Sequence, residues 1–253
     1  MINILAIETT GPYASVAIIN EDREIWEEQS DQKLSHLQSL VPMIEKLLKK
    51  CELQIDDITH IAVSQGPGSF TGIRIGMATA KALAQALDLP AIPVPTLKAF
   101  AWSLPGFDGL FCPLFDARRN QIYAGAYYWK DGLFQVAVED GAYKFEEFLA
   151  LLKAFNPDNK MKIMLFGDGI DAFGRAVEDW KLGIDRLSSK NDSLIILAKK
   201  DIKYQRACFV ASSAYTLLGK GLVKHYEELQ PVYLRKAEAQ RRLDEKLARE
   251  RVK

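Results

Sequence analysis

The alternation of apolar and polar positions divides the chain into two similar stretches. Residues 2–7, INILAI, form an apolar, β-branched run suited to a buried strand. The turn TTGPY and the run ASVAIIN follow, and REIWEEQS alternates enough to predict a third strand. A helix comes next. Ser35 and Gln38 have capping-box spacing, and Leu37, Leu40, Val41, Ile44, Leu47 and Leu48 fall on one face. Pro42 lies inside that pattern and predicts a kink or a later start. THIAVSQ reads as a fourth strand, 71–87 as a second helix, PAIPV as a short fifth strand and TLKAFAWSL as a further helix. The first half therefore reads βββαβα.

The second half repeats that order. LFCPLFDARRN is a strand ending in an acidic turn, and QIYAGAYYW and GLFQVAV are strands joined by KDG. FEEFLALLKAF is a helix, KIMLFGDG a strand and IDAFGRAVEDW a helix. LAIETT and PLFDAR correspond in place, each an apolar strand closing on a carboxylate, Glu8 or Asp116. AVSQGPG and MLFGDG correspond as strands running into glycine turns. A doubled βββαβα unit is the arrangement of the actin, hexokinase and Hsp70 (ASKHA) class. It predicts an α/β fold with two lobes around a cleft, at 1–108 and 109–235. ASSAYTLLGKGLV is a late helix ending near Gly219 or Gly221, and LQPVYLRK is extended. Residues 236–253 hold seven basic and four acidic side chains, with Leu243 and Leu247 at i, i+4, and read as a charged, solvated helix or frayed tail.

Composition adds limits. With 253 residues, 48% hydrophobic and 26% charged, the chain can build a sizeable core. Its 33 basic and 33 acidic residues give zero net charge, whereas a protein that grips a nucleic-acid backbone by itself carries a basic excess. Cys51, Cys112 and Cys208 form no CxxC pair, so reduced thiols in a cytoplasmic protein are expected. MINILAIETT lacks a basic leader, and no apolar run is long enough to span a bilayer, so neither a signal peptide nor a membrane association is expected.

The candidate chemistry centres on AVSQGPGSFTGIRIG, residues 62–76. Such a glycine loop can present backbone N–H groups to a phosphate, with Ser69 or Thr71 capping the following helix. Pro67 removes one donor, however, and neither GxxxxGK[ST] nor GxGxxG is present. The helix after it carries Gly72, Gly76, Ala78, Ala80, Ala82, Ala84 and Ala86. A mid-helix glycine costs about 1 kcal/mol relative to alanine. Close packing on the protein's own sheet would offset that cost, and so would contact with a second protein. The first is the simpler reading, and the two are compatible on opposite faces. His36, His60 and His225 make no HxxxH or HExxH pair, and Ser64 and Ser69 lie in no GxSxG elbow. Glu8 and Asp116 could flank a cleft as paired carboxylates, or simply bond turn N–H groups.

These residues resemble a known family. LAIETT, LSHLQSLVPMIEKLL, IAVSQGPGSFTGIRIGMATAKALA, IPVPTLKAFA, PLFDARRNQIYAGAY, GDG and PVYLR look like the TsaB (YeaZ) family, in order, from residue 2 to about 235. The resemblance implies a non-catalytic subunit in forming N6-threonylcarbamoyladenosine at position 37 of tRNA. It implies pairing with the catalytic paralogue TsaD, joined by the ATPase TsaE, or with a second copy of itself, and contact with tRNA only through the complex. By the same resemblance, the helices at 35–50 and 71–87 form the docking surface, through His36, Gly66, Pro67, Gly68, Ser69, Phe70, Thr71, Gly72, Arg74, Ile75 and Gly76. Glu8, Thr10 and Asp116 become nucleotide-proximal positions, with no intrinsic cofactor and ATP or ADP only at the partner interface. The family pattern has aspartate and serine where Glu8 and Thr10 stand. A longer carboxylate displaces whatever it orients by about 1 Å, enough to cost roughly 100-fold in rate. A small-molecule kinase or ATPase of the actin-like class is the alternative, and peptidase activity is not expected without a metal pair or nucleophile.

Overall fold

In the computed structural model, residues 1–32, 36–187 and 193–235 are described. Two five-stranded sheets carry the same strand order. In the first, β1 (Asn3–Glu8), β2 (Ser15–Asn20) and β3 (Ile25–Gln29) form an antiparallel meander. Helix α1 (His36–Lys50) leads to β4 (His60–Gly66), and α2 (Phe70–Ala86) to β5 (Ala91–Pro95), giving the order β3-β2-β1-β4-β5. The short α3 (Thr96–Ala99) leads into the second sheet. That sheet contains β6 (Gly109–Asp116), β7 (Ile122–Lys130) and β8 (Leu133–Tyr143). Helix α4 (Phe145–Phe155) precedes β9 (Lys162–Phe166). Helices α5 (Gly169–Ala172) and α6 (Gly174–Leu187) precede β10 (Ile195–Leu197), and the order is β10-β9-β6-β7-β8. Read from its meander, each sheet is third-second-first-fourth-fifth. The doubled βββαβα expectation therefore holds, and the fold is an α/β fold of the actin–hexokinase–Hsp70 type.

Both faces of each sheet are covered, so the central strands lack polar alternation. In β1, Leu5 and Ile7 face a cluster with Leu40, Ile44 and Leu47 of α1 and Met77, Ala80 and Ala84 of α2. Ile4 and Ala6 face the opposite way, into a layer shared by both sheets, where Phe100, Phe111, Phe115, Phe166 and Phe209 meet. In β6, Leu110, Cys112 and Leu114 face α4 and α6, while Phe111 and Phe115 turn into the shared layer. The period-2 geometry of a strand thus assigns each residue to a layer.

Three details differ from expectation. Helix α1 runs unbroken through Pro42, which is exposed. Leu37 and Val41 of the predicted apolar stripe are 77% and 56% exposed, so the core-facing stripe is narrower than six residues. The second lobe does not extend to 235. After α7 (Lys200–Lys203), helix α8 (Ala207–Gly219) packs back on β1 and β2, and Lys224 pairs with Ala91 at the edge of the first sheet. From α8 to Val232 the chain therefore returns to the first lobe, because α8 is apolar enough to cover that sheet's inner face. Ser35 and the tail 236–253 lie outside the described residues. Among the described residues, no helix is long and apolar enough to cross a membrane.

Candidate functional site: the glycine loop, the α1–α2 face and the cleft

The glycine loop links β4 to α2 and is folded against the hairpin after β1. Ser69 donates its backbone N–H to Thr10 O at 2.8 Å and caps α2 by accepting from Gly72 N at 3.2 Å. The hydroxyl of Thr9 donates to Gly72 O at 2.7 Å. These bonds press α2 onto the hairpin, and the glycines are what permits it. A Cβ on Gly72 would overlap Thr9 O, one on Gly76 would overlap Thr9 Oγ1, and one on Gly68 would lie 2.7 Å from Thr10 Cβ. Gly66 also adopts φ +108°, a backbone open to glycine.

The expected docking residues therefore divide. Gly66, Pro67, Gly72 and Gly76 are buried within the chain, and Gly68, Ser69 and Ile75 are half-buried. Gly68, Gly72 and Gly76 approach the protein's own hairpin and Gly66 the backbone of Val232, which corrects the expectation that the glycines present a surface. Phe70, Thr71 and Arg74 are exposed, as are Ala78, Ala82 and Gln85 further along α2. His36 opens α1. Helices α1 and α2 touch side by side on the same face of the first sheet. Leu37 and Val41 on α1 and Ala78 and Ala82 on α2 are all exposed. Spacing alone missed Leu37 and Val41, because both belong to an apolar run that otherwise faces the core.

The cleft between the lobes is an open cavity of about 420 Å³. Thr10 and Phe70 line it from the first lobe, Asp116, Arg118, Tyr123 and Asp168 from the second. Glu8 does not. It is 1% exposed, with Oε1 accepting from the Thr10 backbone N–H and, at 2.6 Å, from the Thr10 hydroxyl. Its Oε2 accepts from Ser64 Oγ. Burial raises the Glu8 carboxyl above its ordinary range, against the lowering effect of the bonds from Ser64 and Thr10. The pairing expected for Glu8 and Asp116 is replaced by Asp116 and Asp168: Asp116 donates its N–H to Asp168 Oδ1 at 3.1 Å. Asp116 accepts from Arg118 N at 2.7 Å and pairs with its guanidinium at 3.0 Å. Burial also raises Asp168. Asp168 sits in the GDG turn, whose glycines were the only signal for it in the sequence. Buried Gln205 also lines the cleft, its Oε1 without a hydrogen-bond partner among the described residues.

A nucleotide with its metal fits these residues poorly. Both oxygens of Glu8 are engaged, and the Gly72 N–H is taken by Ser69. Among the described residues no cluster of three His, Cys, Asp or Glu side chains is placed to hold a metal ion.

Comparison with known proteins places this geometry. A family profile described as "TsaD: tRNA N6-adenosine threonylcarbamoyltransferase" matches residues 29–243. The tRNA threonylcarbamoyladenosine biosynthesis protein TsaB of Bacillus subtilis is 36% identical, over 70% of this chain and 75% of its own length. The protein of the same name from Escherichia coli is 30% identical, over 95% of this chain and 97% of its own. A crystal structure of a Pseudomonas aeruginosa protein described as similar to the peptidase YeaZ is 25% identical, with TM-score 0.73, covering 93% of this chain and all (100%) of that one.

Proposed function

The chain belongs to the TsaB (YeaZ) family, and on that premise we propose that it is a non-catalytic subunit in the formation of N6-threonylcarbamoyladenosine at position 37 of tRNA. It docks the catalytic paralogue TsaD through the outer faces of α1 and α2, with TsaE joining the pair in the cytoplasm. Without TsaD, the same face pairs with a second copy. tRNA is reached through the complex, and ATP or ADP is held at the partner interface rather than in the cleft. One observation carries this reading. Leu37 and Val41 on α1, and Ala78 and Ala82 on α2, are exposed on two helices that touch side by side. Exposed apolar side chains grouped on one helical layer mark a surface that another protein covers. The closed Glu8 network supports the non-catalytic part.

Reconstitution tests it. TsaD, TsaE, the adenylate-forming enzyme and tRNA are combined with and without this chain. Modification that requires the chain, and is lost with Ala78→Arg/Ala82→Arg, is the expected result. Full modification without the chain rejects the proposal.

The cleft carboxylates Asp116 and Asp168 favour a second reading, an actin-like kinase or ATPase. A thermal-shift titration with Mg-ATP separates the two: ligand at 100 times its Kd adds about 2.7 kcal/mol. A large shift with turnover by the isolated chain selects the kinase reading.

A further inference from the structure

We propose that Val232–Arg235 is a latch across the mouth of the interlobe cleft, fastening the first turn of α2 to the β6–β7 turn, so that its release opens the cleft. The observations concern this chain alone and do not depend on the proposed partner.

The latch begins from a firm anchor. Leu229 is fully buried in the cluster beneath α1 and α2. Pro231 then keeps the chain extended. Val232 donates its N–H to Gln65 O at 2.7 Å, and its carbonyl occupies the space a side chain on Gly66 would need. The Tyr233 ring lies 4.9 Å from that of Phe70, and its hydroxyl accepts from Arg74 Nε at 3.2 Å. The Arg74 guanidinium is itself stacked on Phe70, 4.0 Å from the ring centre. This half holds the first lobe.

The other half holds the second. Arg235 Nη1 donates to Ala117 O at 2.5 Å and to Arg118 O at 3.3 Å. The receiving turn is unusual: Arg118, Arg119 and Asn120 have φ of 62°, 55° and 59°, three successive non-glycine residues in left-handed backbone. Such a conformation persists only where neighbours hold it, and the Arg235 guanidinium is one such neighbour. Phe70 and Arg118 both line the cleft, so the strap joins its two walls. At the base, the lobes are fused by the shared aromatic layer. At the mouth, Tyr233 is 37% exposed and two side chains, Tyr233 and Arg235, make the fastening, the signature of a segment that opens while the lobes stay folded.

The test uses the full chain with Cys51→Ser and Cys208→Ser, spin-labelled at Asp22→Cys and Glu146→Cys, two exposed positions in opposite lobes, and diluted with unlabelled chain so that distances within one molecule are read. The unaltered strap should give one narrow interlobe distance. Arg235→Ala, and independently Arg74→Gln, should each add a longer, broader population. Amide exchange at 69–71 and 117–121 should then rise about tenfold while β1 and β6 stay unchanged. An unchanged distance distribution in both variants overturns the latch. So does a rise in exchange throughout both sheets, which would make the strap a general brace of the fold.

Discussion

The hydroxyl of Thr9 occupies the place where a side chain on Gly76 would go, and from there donates its 2.7 Å bond to Gly72 O. The sparse side of α2 is therefore matched to one threonine of its own chain. Gly76→Ala should destabilise by about 1–2 kcal/mol, overpacking outweighing the gain in helix propensity. Thr9→Ala alone should cost about 1 kcal/mol for the lost bond. Together they should cost less than their sum by at least about 1 kcal/mol in a denaturant double-mutant cycle. Additive costs would mean that the two residues do not compete for this space. Gly72→Ala, which meets a backbone carbonyl, should abolish folding in either background.

Glu8 predicts a pH dependence. Burial raises its carboxyl above the ordinary 4.5. Its contribution is then fully present below the unfolded value and is lost as pH rises through the folded one. Glu8→Gln stays neutral throughout, and its amide can still serve Thr10 and Ser64. The Tm of Glu8→Gln minus that of the native chain should grow between about pH 4 and about pH 8. Glu8→Ala, which strands the Thr10 and Ser64 donors, should lose about 1–3 kcal/mol at any pH. A Tm difference for Glu8→Gln that shrinks with pH would reverse the sign argued for this carboxyl.

The outer face should separate binding from stability. Ala78→Arg/Ala82→Arg and Val41→Glu change exposed positions, so unfolding free energies should stay within about 0.5 kcal/mol of the native chain. Binding of TsaD, followed by calorimetry, should weaken by at least about tenfold, or 1.4 kcal/mol. Unaltered affinity in both variants would move the docking surface elsewhere. Arg74→Glu is a poorer probe, because Arg74 also holds Phe70 and Tyr233.

Thiol reactivity should follow burial. Cys208 is pushed up to about 12, chiefly by burial, and burial raises Cys112 further. At about pH 8, iodoacetamide should label the native chain slowly and at Cys51 first, with Cys112 reacting only on unfolding. Prompt labelling of Cys112 would mean that the second lobe opens far more often than its packing implies.

Much of the architecture was legible because it is local. Both meanders, the β4–α2–β5 crossover and the repeated βββαβα order follow from apolar runs and turns, whereas the three-residue β10 was too short to leave a pattern. What the sequence hid is long-range. The helix ASSAYTLLG shows that it is apolar, but not that it returns to the first sheet. Small residues occur all around α2, so periodicity could not say whether Gly76 or Ala78 faces outward. Glu8 and Asp116 read as equivalent cleft carboxylates, and nothing local showed that Ser64, far away in sequence, closes the first one off or that Asp168 joins the second. Leu37 and Val41 looked like core because exposure of an apolar residue leaves no local signature.

The interleaving of Phe100, Phe111, Phe166 and Phe209 between the two sheets means that neither repeat is a self-sufficient module. Swapping one half for that of a distant relative would confront rings with unmatched rings, leaving voids on one side and collisions on the other. Change in either repeat is thus answerable to the other, and the two lobes are locked together by grease rather than by a linker.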